Sequence, residues 1–67
     1  MNWDRIAGNW KQFEGNVKER WGKLTDDDVA KINGQRDKMI GRVQERYGIA
    51  KDEAERQVKH WEDAMRG

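Results

Sequence analysis

Apolar residues recur at steps of three and four along much of this chain, which is the spacing that places side chains on one face of an α-helix. The clearest stripe covers about residues 9–21 and consists of Trp10, Phe13, Val17 and Trp21. Trp3 and Ile6 continue the stripe upstream, so a short helix is expected to precede it. Gly22 follows the stripe, and we expect it to end the helix in the left-handed conformation that glycine adopts easily.

A second short helix is expected after Thr25. The Thr25 hydroxyl can accept a hydrogen bond from a free backbone N–H, and Asp28 stands three residues later in capping-box spacing. The apolar residues of this region that are expected to face the core are Leu24, Val29 and Ile32. Gly34 follows Asn33 in a strong turn signal, which predicts the end of this segment.

Two longer helices are expected in the rest of the chain, at about residues 35–47 and 51–65. The core-facing residues of the first are Met39, Ile40, Val43 and Tyr47. Gly48 is expected to end that helix. The core-facing residues of the second are Ala54, Val58, Trp61 and Met65. Proline is absent and no stretch alternates with the period of a strand, so the pattern predicts helices only.

The first half of the chain resembles the second half. Residues 8–22 align without a gap on residues 34–48, and Trp3 and Ile6 extend the match upstream. The positions that keep their residue type in the second copy are Gly8, Gly15, Val17, Glu19, Arg20 and Gly22. Internal similarity at a fixed period indicates one helical unit used twice, with neither copy able to bury its apolar face alone.

The repeat predicts the architecture. We expect one domain over residues 1–67, with internal copies at about 3–22 and 29–48 and a closing helix at about 51–65. The fold class is all-α: a small bundle of four to five helices, built as two repeated helical hairpins packed across each other. The Trp-rich faces are expected to meet between the hairpins.

Composition narrows the classes of function. The chain has 67 residues, of which 40% are charged and 34% hydrophobic, with a net charge of +1. It has no cysteine and one histidine, so disulfides and the usual zinc cages are not expected. No signal peptide or membrane-spanning pattern is visible, and we therefore expect a cytoplasmic protein without membrane insertion. The near-neutral charge disfavours nucleic acid and anionic lipid as partners.

The glycines in the middle of two predicted helices allow more than one interpretation. Gly15 and Gly41 each cost about 1 kcal/mol relative to alanine in a helix interior. They are either tolerated on an exposed face, or a neighbouring backbone packs closely against them. A docking groove or a deliberately soft helix is the functional alternative. A homo-oligomer formed through this face also stays open.

The tryptophans allow a nucleic-acid interpretation, because aromatic rings with nearby Lys and Arg can stack on single-stranded bases. Trp10, Trp21 and Trp61 lie on apolar stripes, however, so a core role is favoured. Turns rich in glycine can also hold DNA phosphates, but the turn after Gly22 runs directly into three aspartates. Nucleic-acid binding is therefore disfavoured without being ruled out.

No residue pattern predicts catalysis, a cofactor or a metal. His60 has no second histidine, cysteine or serine nucleophile to work with, and we expect it on the surface. The run Asp26-Asp27-Asp28 lacks the spaced ligands, loop glycine and closing glutamate of a calcium loop. Helix capping explains the run better. No cofactor is expected, and any partner is unknown.

Three stretches carry a family resemblance. They are Gly8-Asn9-Trp10-Lys11-Gln12-Phe13, Trp21-Gly22-Lys23-Leu24-Thr25-Asp26-Asp27-Asp28 and Gln44-Glu45-Arg46-Tyr47-Gly48. In residue types and spacing the chain resembles the CsbD-like family of small bacterial stress proteins, and its short proteobacterial members most closely. Ala50 departs from the serine or similar cap often found there.

The resemblance implies a compact all-helical cytoplasmic protein that is induced in general stress. It implies no catalytic residues. We therefore expect a non-enzymatic small stress-response protein with a binding or protective role and an unknown molecular target. The alternative is a helical hairpin module associated with nucleic acid.

Overall fold

Five helices and short connections make up the chain in a computed structural model that describes residues 2–65. The helices are α1 (Asn2–Gly8), α2 (Trp10–Arg20), α3 (Asp26–Ile32), α4 (Arg36–Tyr47) and α5 (Lys51–Ala64). The described residues contain no strand. The predicted small all-α bundle is therefore confirmed, with five helices as the number. Residues 1, 66 and 67 of the predicted single domain lie outside the described residues.

Helix α3 begins with the capping box that the sequence predicts. The Thr25 hydroxyl accepts a hydrogen bond from the backbone N–H of Asp28 at 3.0 Å. In return the Asp28 carboxylate accepts one from the backbone N–H of Thr25, also at 3.0 Å. Each side chain thus satisfies a backbone donor that the first helical turn leaves free.

Gly34 and Gly48 lie at helix ends as the sequence predicts, whereas the conformation of Gly22 differs from the prediction. Gly48 caps α4 in the left-handed region with a φ of 62°, and Gly34 has a φ of 79° in the turn after α3. The left-handed conformation expected for Gly22 is not found, although Gly22 does lie in a turn. Helix α2 ends at Arg20, and Trp21 is its C-cap residue with a φ of −122°. The Trp21 ring at this exit from the helix is fully buried.

The core contains residues from every helix and from the connection between α2 and α3. Its buried apolar members are Trp3, Ile6, Trp10, Val17, Trp21, Leu24, Val29, Ile32, Met39, Ile40, Val43, Ala54, Val58 and Trp61. Three residues that the sequence places in the core, Phe13, Tyr47 and Met65, are only partly buried and pack against this cluster. The hydroxyl of Tyr47 accepts a hydrogen bond from the backbone N–H of Lys23 at 3.2 Å, which holds that end of the ring near the surface.

Helix α5 contacts two other helices of the bundle. It packs along α4 in the most extensive helix contact of the described residues, and it also packs against α1. Helix α3 lies between α2 and α4 and contacts both. The short helices α1 and α3 have seven residues each, and the longer α2 and α4 have 11 and 12. The duplication itself stays a prediction from the sequence.

Candidate functional site

The most distinctive side-chain cluster is aromatic and is centred on Trp61 of α5. The centroid of its ring lies 6.2 Å from that of Trp3, 6.0 Å from that of Phe13 and 5.8 Å from that of Trp21. All three pairs meet edge to face, the arrangement that the ring quadrupoles favour. Trp10 extends the cluster through Trp3, with ring centroids 6.5 Å apart. The rings of α1, α2 and the α2–α3 connection thus converge on the last described helix.

The indole N–H groups of three tryptophans have acceptors. Trp3 donates to the carbonyl oxygen of Gly34 at 2.9 Å, and Trp10 donates to that of Val29 at 3.1 Å. Trp21 donates to the side-chain oxygen of Gln57 at 3.1 Å. The Trp61 nitrogen is buried and has no hydrogen-bond acceptor among the described residues. A buried donor without an acceptor destabilises the folded state, so Trp61 is the one indole whose polar group works against its burial.

These rings form no exposed stacking platform. The most exposed of the four tryptophans, Trp3, retains only 9% of its accessible surface. Base stacking needs an open ring face, and none of the four indoles offers one. The core interpretation of the tryptophans accounts for their positions in the structure.

A groove of about 350 Å³ lies between α2 and α5, beside the aromatic cluster. Its lining residues are Asn16, Glu19, Arg20, His60, Trp61, Ala64 and Met65. His60 is exposed on its rim, as the sequence predicts for a surface histidine. The floor is apolar and the rim is polar, so the groove could receive a small apolar group. The lining brings no serine or cysteine nucleophile to the histidine, as triad chemistry would need.

A buried carboxylate is the second notable feature. Asp28 retains 1% of its accessible surface. It accepts two hydrogen bonds from Arg46, from Nε at 2.8 Å and from Nη2 at 2.9 Å. The guanidinium of Arg42 lies 3.7 Å away. The hydrogen bonds from Arg46, followed by the one from the Thr25 backbone, hold the pKa of Asp28 well below its usual range, although burial alone would raise it.

This environment gives Asp28 a structural role. Its oxygens accept hydrogen bonds from Arg46 and from the Thr25 backbone, and its lowered pKa keeps it ionised at physiological pH. A general base needs a free lone pair and a pKa nearer to neutrality. Asp28 instead joins the start of α3 to the end of α4, two helices that the sequence separates by a turn.

A second buried acid, Glu62, faces Arg36. Glu62 retains 6% of its accessible surface, and one of its carboxylate oxygens lies 3.6 Å from Nε of Arg36. This contact joins α5 to the first turn of α4. Sequence reasoning did not identify Glu62, because its neighbour Trp61 marks the apolar face and a buried charge is not expected beside it. The one signal in the sequence is that Glu62 directly follows the core residue Trp61.

The three consecutive aspartates point to separate partners. Asp26 forms an ion pair with Lys18 of α2, and Asp27 lies 3.3 Å from Nζ of Lys31. Asp28 turns inward to Arg46. Within residues 2–65, no three acidic, histidine or cysteine side chains are grouped so that they could hold a metal ion. The helix-capping interpretation of this run fits the geometry.

The two mid-helix glycines stand in open space. A Cβ atom built on Gly15 or on Gly41 would have no neighbouring atom within 4 Å outside its own helix. Both residues are exposed. Close packing of another backbone therefore does not explain them. Gly34 is the opposite case, because an added Cβ would lie 3.1 Å from Cα of Ala7.

Helices, a Trp-centred core and buried acids that pair with arginines define a small helical domain whose buried polar groups serve the fold. None of the described helices is both long enough and apolar enough to cross a membrane. The profile of the CsbD-like family matches residues 4–56. The chain therefore belongs to the CsbD-like family, as its sequence motifs predict.

Bacterial proteins closely similar to the chain support this assignment. It is 64% identical over 63 residues to the UPF0337 protein ECA0631 of Pectobacterium atrosepticum, which covers 94% of this chain and 91% of that protein. It is 61% identical over 62 residues to the UPF0337 protein YjbJ of Escherichia coli K12, which covers 92% and 90%. The UPF0337 protein RPA4217 of Rhodopseudomonas palustris is 61% identical over 61 residues, which covers 91% and 92%.

Proposed function

We propose that this protein is a non-enzymatic stress-response protein of the cytoplasm that binds or protects other cell components. The observation that carries the proposal is membership of the CsbD-like family, whose profile matches residues 4–56. The family resemblance implies induction in general stress.

The chemistry of the described residues supports a role other than catalysis. The buried acids Asp28 and Glu62 each face an arginine, and Asp28 also caps a helix. His60 is exposed on the rim of a shallow groove. These groups are explained by folding and by exposure to water. None is aligned with a nucleophile in the way that acyl or phosphoryl transfer requires.

The surface supports contacts that are broad and weakly selective. Cations and anions alternate on it, as in the pairs Lys31–Asp27, Arg42–Glu45 and Arg56–Glu53. Paired charges of this kind attract neither polyanions nor polycations strongly. A protective role through hydration and weak contacts agrees with this pattern better than recognition of one strongly charged partner.

Survival under stress tests the proposal. A strain of the source bacterium that lacks the gene is exposed to osmotic and other stresses, and plasmid-borne wild type is expected to restore survival. His60→Ala replaces an exposed residue, so we expect it to fold and to restore survival equally. Equal survival with and without the gene under all these stresses would contradict the stress role. A substrate-specific turnover that His60→Ala abolishes would contradict the non-enzymatic role.

Binding to nucleic acid provides an independent check. Titration of the purified protein with labelled single-stranded and duplex oligonucleotides is expected to show no binding at physiological ionic strength, because the indoles are buried and the net charge is small. Binding that weakens steeply with added salt would instead indicate phosphate contacts and would favour the nucleic-acid alternative.

A further inference from the structure

The two copies of the helical unit use the same glycine spacing in different ways. In the second copy, Gly34 and Gly48 flank α4 and both adopt positive φ, at 79° and 62°. Gly34 is also packed against Ala7, and its carbonyl oxygen accepts the indole N–H of Trp3. The ends of α4 are therefore fixed by conformation, and one of them by packing as well.

In the first copy the flanking glycines are free of such constraints. Gly8 and Gly22 flank α2, and neither has a positive φ. Both are exposed, and a Cβ atom added to either would meet nothing within 4 Å. Glycines at the ends of elements, with open space where a Cβ would be, are able to absorb changes in φ and ψ, which is what hinge positions do. Gly15 lies midway between them and weakens the same helix.

Helix α4 also has more extensive contacts with its neighbouring helices than α2 has. Helix α4 is held by the paired hydrogen bonds from Arg46 to Asp28 and by the contact between Arg36 and Glu62. It buries three residues, whereas α2 buries Trp10 and Val17. The polar contacts of α2 with α3 are the hydrogen bond from Trp10 to the Val29 carbonyl and the ion pair of Lys18 with Asp26. Helix α2 packs against α1 and α3. It meets α5 at the ring contact between Phe13 and Trp61, and the groove lies beside that contact. Its polar contact with α5, from Asn16 to the sulfur of Met65, is 3.7 Å long.

The unpaired indole of Trp61 adds an independent observation. Trp61 lines the groove between α2 and α5, and its buried N–H lacks an acceptor. Movement of α2 away from α5 would let water bond to this N–H. The gain of that hydrogen bond offsets part of the loss of apolar contacts and lowers the free energy of opening.

We propose that α2 leaves the bundle by bending at Gly8 and Gly22 and then unwinds, because a helix of 11 residues is barely stable without its packing, while α4 and α5 stay folded. This opening uncovers the aromatic cluster around Trp61. The opened form presents an apolar surface that the closed bundle hides. The device is independent of the stress role and would operate in any function of the domain.

Native-state hydrogen exchange followed by NMR tests the flap, under conditions in which exchange reports the equilibrium of opening. The backbone amides of α2 between residues 13 and 20 are expected to exchange at least about tenfold faster than the slowest amides of α4, after correction for intrinsic rates. Sub-global openings of this kind have lower free energies than complete unfolding. Equal protection of α2 and α4 would overturn the proposal.

The matched variants Gly15→Ala and Gly41→Ala sharpen the test, because each replaces an exposed mid-helix glycine of one copy. Gly41→Ala is expected to slow exchange in α4 by about fivefold and to leave α2 unchanged, since α4 is helical both before and after the flap opens. Gly15→Ala is expected to slow exchange in both helices, since complete unfolding also melts α2. Equal slowing of both helices by Gly41→Ala would show one cooperative unit and overturn the flap.

The indole N–H of Trp61 reports whether the cluster is uncovered. It is expected to follow the α2 amides: unchanged in Gly41→Ala and slowed in Gly15→Ala. If both variants slow it by the same factor as the α4 amides, the ring is exposed only by complete unfolding. That result would overturn the uncovering of the cluster.

Discussion

Arg46 donates two hydrogen bonds to Asp28, of 2.8 and 2.9 Å, and the carboxylate that receives them is 1% exposed. The same carboxylate completes the capping box of α3 with Thr25. One side chain therefore starts a helix and fastens it to the next one. In a domain of this size, the loss of such a group removes a large part of the total stability.

Replacement of Asp28 by alanine is expected to destabilise the domain by about 3 kcal/mol, because it removes the helix cap and leaves Arg46 without its partner. Urea unfolding followed by far-ultraviolet circular dichroism measures the change. Asp27→Ala is the matched control: Asp27 is exposed and paired with Lys31, and we expect a loss of no more than about 0.5 kcal/mol. Equal losses in the two variants would contradict the role of Asp28.

The stability of the domain is expected to fall in acid, partly through Asp28. Its folded-state pKa lies below the ordinary value of 3.8, so the unfolded chain binds a proton more readily than the folded one. The stabilisation is fully present above that value and is lost progressively as pH falls below it. Unfolding free energies between pH 5 and about pH 2 measure the effect.

The matched variant for acid titration is Asp28→Asn, which removes the titrating group. Its stability is expected to decline less steeply with falling pH, by up to about one proton in the linkage slope. The other carboxylates titrate in both proteins and cancel in the comparison. Parallel declines would contradict a strongly lowered pKa at Asp28.

The exposed mid-helix glycines are expected to be sites of easy stabilisation. Gly15→Ala and Gly41→Ala should each add about 0.5–1 kcal/mol, since alanine is the better helix former and has open space at both positions. For a domain of this size the melting temperature should rise by roughly 2–8 °C. Thermal unfolding by circular dichroism measures the change.

Gly34→Ala serves as the contrasting control for the glycine variants. Gly34 has a φ of 79°, and an added Cβ would lie 3.1 Å from Cα and 3.2 Å from the carbonyl oxygen of Ala7. We expect this variant to lower the stability by more than about 1 kcal/mol. A rise in its melting temperature would show that the turn can rearrange, and would contradict the close packing of α1 against it.

The unpaired indole of Trp61 predicts a difference between two otherwise similar substitutions. Trp10→Phe and Trp61→Phe remove similar volume from rings that are 6% and 4% exposed. Only Trp10→Phe also breaks a hydrogen bond, the one to the carbonyl oxygen of Val29. We expect Trp10→Phe to be more destabilising by about 1 kcal/mol in urea unfolding. A larger loss for Trp61→Phe would indicate that its N–H has a favourable contact in the fold.

Local signals in the sequence predicted the helices well. The three-and-four spacing of apolar residues located every helix, because burial of one helical face is what that spacing records. Thr25 and Asp28 predicted the capping box, because all of its atoms lie within one helical turn. The conformation of Gly22 was predicted wrongly, because the path of the chain after α2 depends on where the Trp21 ring is buried. That position is set by α5, far along the chain.

The charged contacts of the core could not be predicted from the sequence. The pairing of Asp28 with Arg46 and the burial of Glu62 beside Arg36 depend on how α3, α4 and α5 cross. Helical periodicity gives the face of a residue but not its partner across the bundle. The partial exposure of Phe13 has a similar origin. Its ring contacts Trp61 of α5, but the two helices have few other contacts that would cover it.

The position of Trp61 in the order of synthesis has a consequence for folding in the cell. The rings that it contacts belong to Trp3, Phe13 and Trp21, all of which are translated well before it. A nascent chain on the ribosome therefore presents these aromatic groups before their shared ring partner has been made. The bundle can complete its interior only after residue 61 has left the exit tunnel.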